Sequence, residues 1–284
     1  MSRQGWIFGL CSAIVMLFSG DTARGDEPRP IDGFSDNSFL VEEAYNQEQG
    51  VVQHIFNAVY AKDSRRHGWS FNFTQEWPIF SHDHQFSFSV PSFHLREGND
   101  RRNGVGDILL NYRYQALDEG PAIPAFAPRF SLILPTGSRT KGTGNGVVVY
   151  QWQLPFSKKM ASRVALHANL GLTYLPNVRV PLEANGLSPK RSLTSYNLGA
   201  SAILALSSRI HMMLEWVGIF EEGLNDAGRK EHDFKSIVSP GIRAAVINEE
   251  TLQAVIGVGI PIGLTRPADK YGVFLYFSIE HKLF

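Results

Sequence analysis

The chain has 284 residues with 27 basic and 27 acidic side chains, so it carries no net formal charge. That balance excludes a global field of the kind that attracts nucleic acid, and a single cysteine excludes an internal disulfide. Aromatic residues at 12% and 26 glycines suit a chain of many strands and turns.

Residues 1–25 have the layout of a secretory signal peptide. Arg3 supplies the positive start, Trp6–Phe18 is a largely apolar run, and Ala23-Arg24-Gly25 is a small-x-small cleavage site. Cys11 lies inside that run and follows Leu10, which is not the setting of a lipidated cysteine. No later stretch approaches 18 consecutive apolar residues, so no transmembrane helix is expected. An exported chain without a helical span is periplasmic, secreted, or a barrel in the outer membrane of a Gram-negative-type bacterium.

Residues 26–50 form an acidic segment in which Asp26, Glu27, Asp32, Asp36, Glu42, Glu43 and Glu48 face only Arg29. Two readings stay open for it. It is a solvated leader, or it packs into the periplasmic mouth of a barrel.

From Val51 onward the chain is a succession of strand candidates with period-2 alternation. After Val51–Tyr60, Trp69–Trp77 sets Trp69, Phe71 and Phe73 against Ser70, Asn72, Thr74 and Glu76. Gln85–Leu95 sets Phe86, Phe88 and Val90 against Gln85, Ser87 and Ser89. The stretch Gly104–Gly137 holds two more: Ile108, Leu110, Tyr112 and Tyr114 alternate with Asp107, Asn111, Arg113 and Gln115, and Phe130, Leu132 and Leu134 alternate with Arg129 and Ser131. Val147–Leu154, Arg163–Tyr174, Ser195–Leu206, Ile210–Phe220, Phe234–Val246, Leu252–Ile260 and Tyr271–Phe284 complete a set of twelve. Most run about 9–12 residues, the length a tilted strand needs to cross a bilayer, where globular strands average about 5–6.

The connections point the same way. Ala61–Gly68, Arg96–Asn103, Pro135–Gly146, Pro176–Ser192, Glu221–His232 and Pro261–Lys270 are each longer than the alternating Ser81–Asp83, Leu117–Ala122, Pro155–Ala161, Ser207–Ser208 and Asn248–Glu250. Long outer loops alternating with short periplasmic turns are the asymmetry of an up-and-down outer-membrane barrel. The fold class expected is therefore all-β: a transmembrane up-and-down antiparallel β-barrel of about 12 strands over residues 51–284. Its apolar faces point to lipid. The chain ends on Phe284, where the barrel-insertion machinery reads the last strand of outer-membrane proteins.

The motif Gly-x-Gly-Asp with Asn-Tyr-Arg-Tyr-Gln at 104–115, then Ser-Leu-Ile-Leu-Pro-Thr-Gly at 131–137 and a glycine-rich loop through Gly146, resembles an outer-membrane β-barrel family. That family is labelled "putative MetA-pathway of phenol degradation", or simply transporter. Residues 39–54, Phe-Leu-Val-Glu-Glu-Ala-Tyr-Asn-Gln-Glu-Gln-Gly-Val-Val-Gln-His, resemble its N-terminal signature. The resemblance covers roughly residues 39–284 and implies a barrel that admits small hydrophobic or aromatic molecules. It supplies no catalytic residue.

Other chemistry is weakly signalled. The loop Gly137–Gly146 lacks the Gly-Lys-Ser/Thr ending of a phosphate loop and precedes a strand, so a flexible extracellular loop is the expectation. His82 and His84 are two imidazoles without a third ligand nearby in sequence, short of what a metal requires. No serine–histidine spacing singles out a phospholipase-like pair. No catalytic residue, metal or cofactor is expected.

The inward face carries Glu76, Asp107, Glu215 and Glu280 with Arg113, Arg129, Arg243 and Lys282. Within a lumen these eight are expected to pair as a charge network, since unpaired buried charges are costly. Such a network either constricts a polar pore or plugs a closed structural barrel. The expected partners are outer-membrane lipid, lipopolysaccharide on basic outer loops, the insertion machinery and a small-molecule solute. Passive transport of small molecules is the expected role.

Overall fold

The computed structural model describes residues 37–63, 66–182, 186–225 and 227–283. Its strands are β1 (Val51–Lys62), β2 (Arg66–Ile79), β3 (Ser81–Glu97), β4 (Asp100–Val105), β5 (Ile108–Tyr114), β6 (Ala125–Phe126), β7 (Arg129–Leu134), β8 (Val149–Ala161), β9 (Val164–Val178), β10 (Pro181–Leu182), β11 (Gly186–Leu187), β12 (Arg191–Ala205), β13 (Ile210–Leu224), β14 (Lys230–Asn248), β15 (Leu252–Gly259), β16 (Ile262–Gly263) and β17 (Tyr271–Lys282). There is no helix among the described residues. The β10–β11 hairpin stands apart, and the other fifteen strands form one antiparallel sheet.

That sheet is a barrel of twelve staves. β4 and β5 both pair with β3 and make one stave, interrupted at Gly106–Asp107. β6 and β7 share one stave against β8, and β15 and β16 share one against β14 and β17. Neighbours in sequence are neighbours in space all the way round. β1 and β17 then close the barrel over a full register from Val51↔Lys282 to Lys62↔Tyr271. Closure leaves no edge with unpaired backbone groups, the condition a sheet must meet to lie in lipid.

Burial is inverted relative to a soluble protein. Tyr196, Met212, Leu214, Trp216 and Phe277 are exposed on the outer face. Gln85, Asn111, Gln151, Asn169 and Glu215 are buried on the inner one. An apolar exterior of this extent has one compatible solvent, the bilayer. The chain is an outer-membrane β-barrel, and the apolar faces of the twelve expected strands are its lipid-facing belt.

The expected strict alternation of loop lengths does not hold. Ala61–Gly68 and Arg96–Asn103, read from sequence as outer loops, are mostly strand, and only residues 98–99 separate β3 from β4. Residues 115–124, at the opposite end, are a longer connection than that. Lipid imposes the apolar alternation, whereas sheet pairing does not require it. Beyond the bilayer the hairpin continues with polar pairs such as Arg96↔Arg101 and Glu97↔Asp100. We call the end bearing Phe80 and residues 162–163, 206–209 and 249–251 the turn end. The end bearing residues 135–148 and 179–190 is the loop end.

The loop over residues 135–148 is fastened to the barrel. Asp107, at the interruption of the β4–β5 stave, accepts hydrogen bonds from the amides of Gly137 (2.9 Å) and Asn145 (2.7 Å) and from the Asn145 side chain (3.0 Å). Gly144 permits the approach, because a Cβ there would lie 2.5 Å from Asp107 Oδ1. The flexible loop expected from its glycines is thus pinned at two positions, Gly137 and Asn145, by three hydrogen bonds. Asp107→Ala is expected to expose Arg139 and Lys141 to trypsin, with cleavage at least about tenfold faster than in the parent barrel.

Candidate functional site

The lumen is occupied by the chain's own N-terminal segment. Residues 37–50 form no strand, yet Phe39, Val41, Glu43, Ala44 and Asn46 are all buried. The segment runs round the inner wall at the turn end and then enters β1. Of the two settings left open by the sequence, residues 37–50 take the second: they are largely buried rather than solvated, and they pack inside the barrel from its turn-end mouth inward, while residues 26–36 lie outside the described residues.

A backbone outside any sheet must still satisfy its N–H and C=O groups once buried. Here the wall supplies side chains in place of strands. The amides of Leu40 and Val41 donate to Glu215 Oε1 at 2.9 and 3.0 Å. The Glu42 amide donates to Asn169 Oδ1 at 2.6 Å, and the Asn169 amide group donates back to the Glu42 carbonyl at 2.7 Å. The Ala44 amide donates to Ser157 (2.7 Å), that of Asn46 to Gln115 (3.0 Å), and that of Gln47 to Gln85 (2.7 Å). These acceptors follow the wall in order, from Glu215 on β13 through Asn169 on β9, Ser157 on β8 and Gln115 just after β5 to Gln85 on β3, passing over β12 and the β6–β7 stave.

Charge fixes the middle of the segment. Arg113 and Arg129 are register partners, two like charges side by side. The Glu42 carboxylate bridges them, at 3.3 Å from Arg113 and 2.8 Å from Arg129. Arg113 also donates to Asn46 Oδ1 (2.7 Å) and to the carbonyls of Glu43 (3.2 Å) and Tyr45 (2.6 Å). Glu43 accepts from Ser38 and lies 3.7 Å from Arg243, which donates to the Asn37 carbonyl at 2.7 Å.

The eight charged residues singled out from the sequence are therefore arranged differently from a network among themselves. Arg113, Arg129, Arg243 and Glu215 converge on residues 37–50. Glu76 is buried and accepts from Gln85 at 2.8 Å. Asp107 serves the 135–148 loop and not the arginines of the neighbouring staves. Glu280 is half-buried, and Lys282 is exposed at the turn end. Counting charges alone missed the uncharged acceptors Gln85, Gln115, Ser157 and Asn169. Their repeated amides and hydroxyls on the inward parity were the available signal. Phe284 and residues 1–25 lie outside the described residues.

The histidines of the 82–84 turn have other partners. His82 sits 3.0 Å from Asp83, and His84 Nδ1 lies 2.6 Å from the Tyr112 hydroxyl. Among the described residues no three metal-ligating side chains cluster.

A further contact ties the segment to the turn end outside the membrane span. The Tyr45 hydroxyl donates to Glu119 at 2.7 Å, and Lys158 pairs with the same carboxylate at 2.6 Å. Burial pushes the Glu119 carboxyl up, but hydrogen bonds from Lys158, Tyr45 and the Lys159 amide outweigh it and hold the group below the usual carboxylate range. A depressed carboxyl contributes its stability above the ordinary carboxylate pKa and loses it as pH falls through the lower folded value. The Tyr45 latch is thus strongest at neutral pH and weakens as Glu119 is protonated in acid. Acidification is expected to speed hydrogen exchange around Tyr45, and Glu119→Gln to flatten that dependence.

The fold has relatives among solved structures. An outer membrane channel from Pseudomonas putida F1 superposes with a TM-score of 0.67 at 10% identity, covering 84% of this chain and 97% of that one. The NanC porin superposes with a TM-score of 0.50 at 9% identity, covering 81% and 100%. Identities this low speak for the fold alone. No curated protein matches the sequence. The sequence profile of the family described as "Putative MetA-pathway of phenol degradation" matches residues 32–216, more than half of the chain. That match places the chain in the family described as "Putative MetA-pathway of phenol degradation".

Proposed function

We propose that the protein is a passive, non-catalytic channel for small molecules, gated by residues 37–50, with its turn end in the periplasm. One observation carries this reading. What occupies the lumen is a separate segment held by side-chain hydrogen bonds and ion pairs, not by sheet pairing. Such a segment can leave without breaking a stave. Twelve staves lie between the eight that enclose only side chains and the roughly sixteen of an open aqueous pore, so its departure uncovers a narrow passage. Phe39 and Leu40 lie against an apolar wall that includes Ile55, Ile203, Met213 and Phe274, and Val41 lies against Val217 and Ile219. That lining supports small hydrophobic or aromatic solutes, in keeping with the family's description. In this orientation Arg139 and Lys141 of the pinned loop face lipopolysaccharide phosphates.

The test is liposome swelling with small neutral solutes, comparing the intact barrel with one lacking residues 37–47. The intact barrel is expected to admit them slowly and the shortened one rapidly. Equal, negligible swelling for both would favour a closed structural barrel instead.

A further inference from the structure

Phe39 sits in a socket built for a ring. Its ring stacks on Phe274 with centroids 5.0 Å apart and a 19° interplanar angle, and lies 5.5 Å from Tyr276. Around it are three glycines of the lumen wall. A Cβ on Gly241 or Gly259 would come within 2.9 or 3.0 Å of the Phe39 ring, and one on Gly257 would overlap it. These residues are not scattered: Gly241 pairs with Gly259 and Gly259 with Phe274, while Gly257 lies between Arg243 and Tyr276. Three adjacent staves thus present one flat recess the size of a benzene ring. Glycine weakens a strand and is kept where something must approach the backbone closely.

The recess also has a polar corner. Ser239, fully buried on β14, has a hydroxyl with no hydrogen-bond partner among the described residues. It borders the same space: a Cβ on Gly259 would lie 3.2 Å from Ser239 Oγ and 3.0 Å from the Phe39 ring. An unpaired buried hydroxyl is a cost that a pocket serving only a phenylalanine side chain has no need to bear. Alanine would pack there without it.

We propose that this socket is a binding subsite for a hydroxylated mono-aromatic solute, and that Phe39 occupies it as a place-holder. A phenol-like ring would take the position of the Phe39 ring between the glycines and Phe274, and its hydroxyl would pair with Ser239. Because Phe39 leads directly into the amides held by Glu215, eviction of the ring begins the release of the lumen segment. The inference rests on the channel reading and adds to it the class of solute and the place where it competes.

Phenol binding to the full-length barrel in detergent tests it, with cyclohexanol as a non-aromatic probe of similar size. Phe39→Ala empties the socket and should bind phenol at least about tenfold more tightly than the parent, which must first give up its own ring. Adding Gly257→Val refills the recess and should abolish that gain. Adding Ser239→Ala should remove the preference for phenol over benzene. If Phe39→Ala does not insert, Phe39→Leu carries the same comparison. Binding no tighter in the emptied socket than in the parent, or undiminished by Gly257→Val, or equal for cyclohexanol, overturns the subsite. Swelling by the barrel without residues 37–47 is read separately. If it swells while phenol fails to bind, the subsite alone falls; if it does not swell, the channel reading falls whatever phenol does.

Discussion

Glu42→Ala is expected to shift the barrel from an occupied lumen to an open one, seen in planar bilayers as a higher mean conductance. Glu42 is the anion between Arg113 and Arg129, and those two arginines are paired in register. Removing it leaves two buried guanidinium groups facing each other without it. Breaking a buried ion pair by deleting one partner costs about 3–5 kcal/mol. Since 1.4 kcal/mol is a factor of ten, even the lower figure moves the occupied-to-open ratio by roughly a hundredfold. Glu42→Gln keeps the shape and one acceptor, so a smaller rise is expected from it. A conductance unchanged by both would mean that the bridge does not hold the segment.

Arg113→Ala is expected to open the barrel as well, for a different reason. Glu42 keeps Arg129 at 2.8 Å, so its charge stays paired. What is lost are donors to the carbonyls of Glu43 and Tyr45 and to Asn46 Oδ1. Each buried acceptor left unsatisfied costs about 1–3 kcal/mol. The segment should therefore loosen between Glu43 and Asn46 by a few kcal/mol. The two substitutions share an interaction, so Glu42→Ala with Arg113→Ala should cost less than the two effects added. Additive effects on conductance would place the two residues in separate contacts. Removing Arg113 and Arg129 together is expected to raise conductance by releasing Glu42, which they hold at 3.3 and 2.8 Å.

The barrel was legible in the sequence because lipid writes on it. Every stave crossing the bilayer must show apolar residues outward at period 2, and stretches such as Ile108–Tyr114 and Ile210–Phe220 do so without reference to distant residues. Stave ends were less legible, since Arg96 and Arg101 pair in the sheet beyond the reach of that constraint. The lumen segment was the least legible. Residues 37–50 have no period, because their partners are side chains far away in sequence: Leu40 on Glu215, Asn37 on Arg243, Asn46 on Gln115. The acidic character of the stretch was visible, and so were the arginines inside the barrel. Their meeting at Glu42 was not, since no local rule says that an irregular leader turns inward. The inward amides of Gln85, Gln115 and Asn169 carried the missing information: a wall rich in neutral acceptors is suited to hold a backbone.

Hydrogen exchange of the lumen segment in the full-length barrel tests the account most directly. The amides of Leu40, Val41, Glu42, Ala44, Asn46 and Gln47 each donate to a wall side chain. They are predicted to exchange far more slowly than an unstructured chain and to lose that protection in Glu42→Ala. Exchange of all six at the rate of an unstructured leader, while the staves remain protected, would contradict a lumen held closed by its own N-terminal segment.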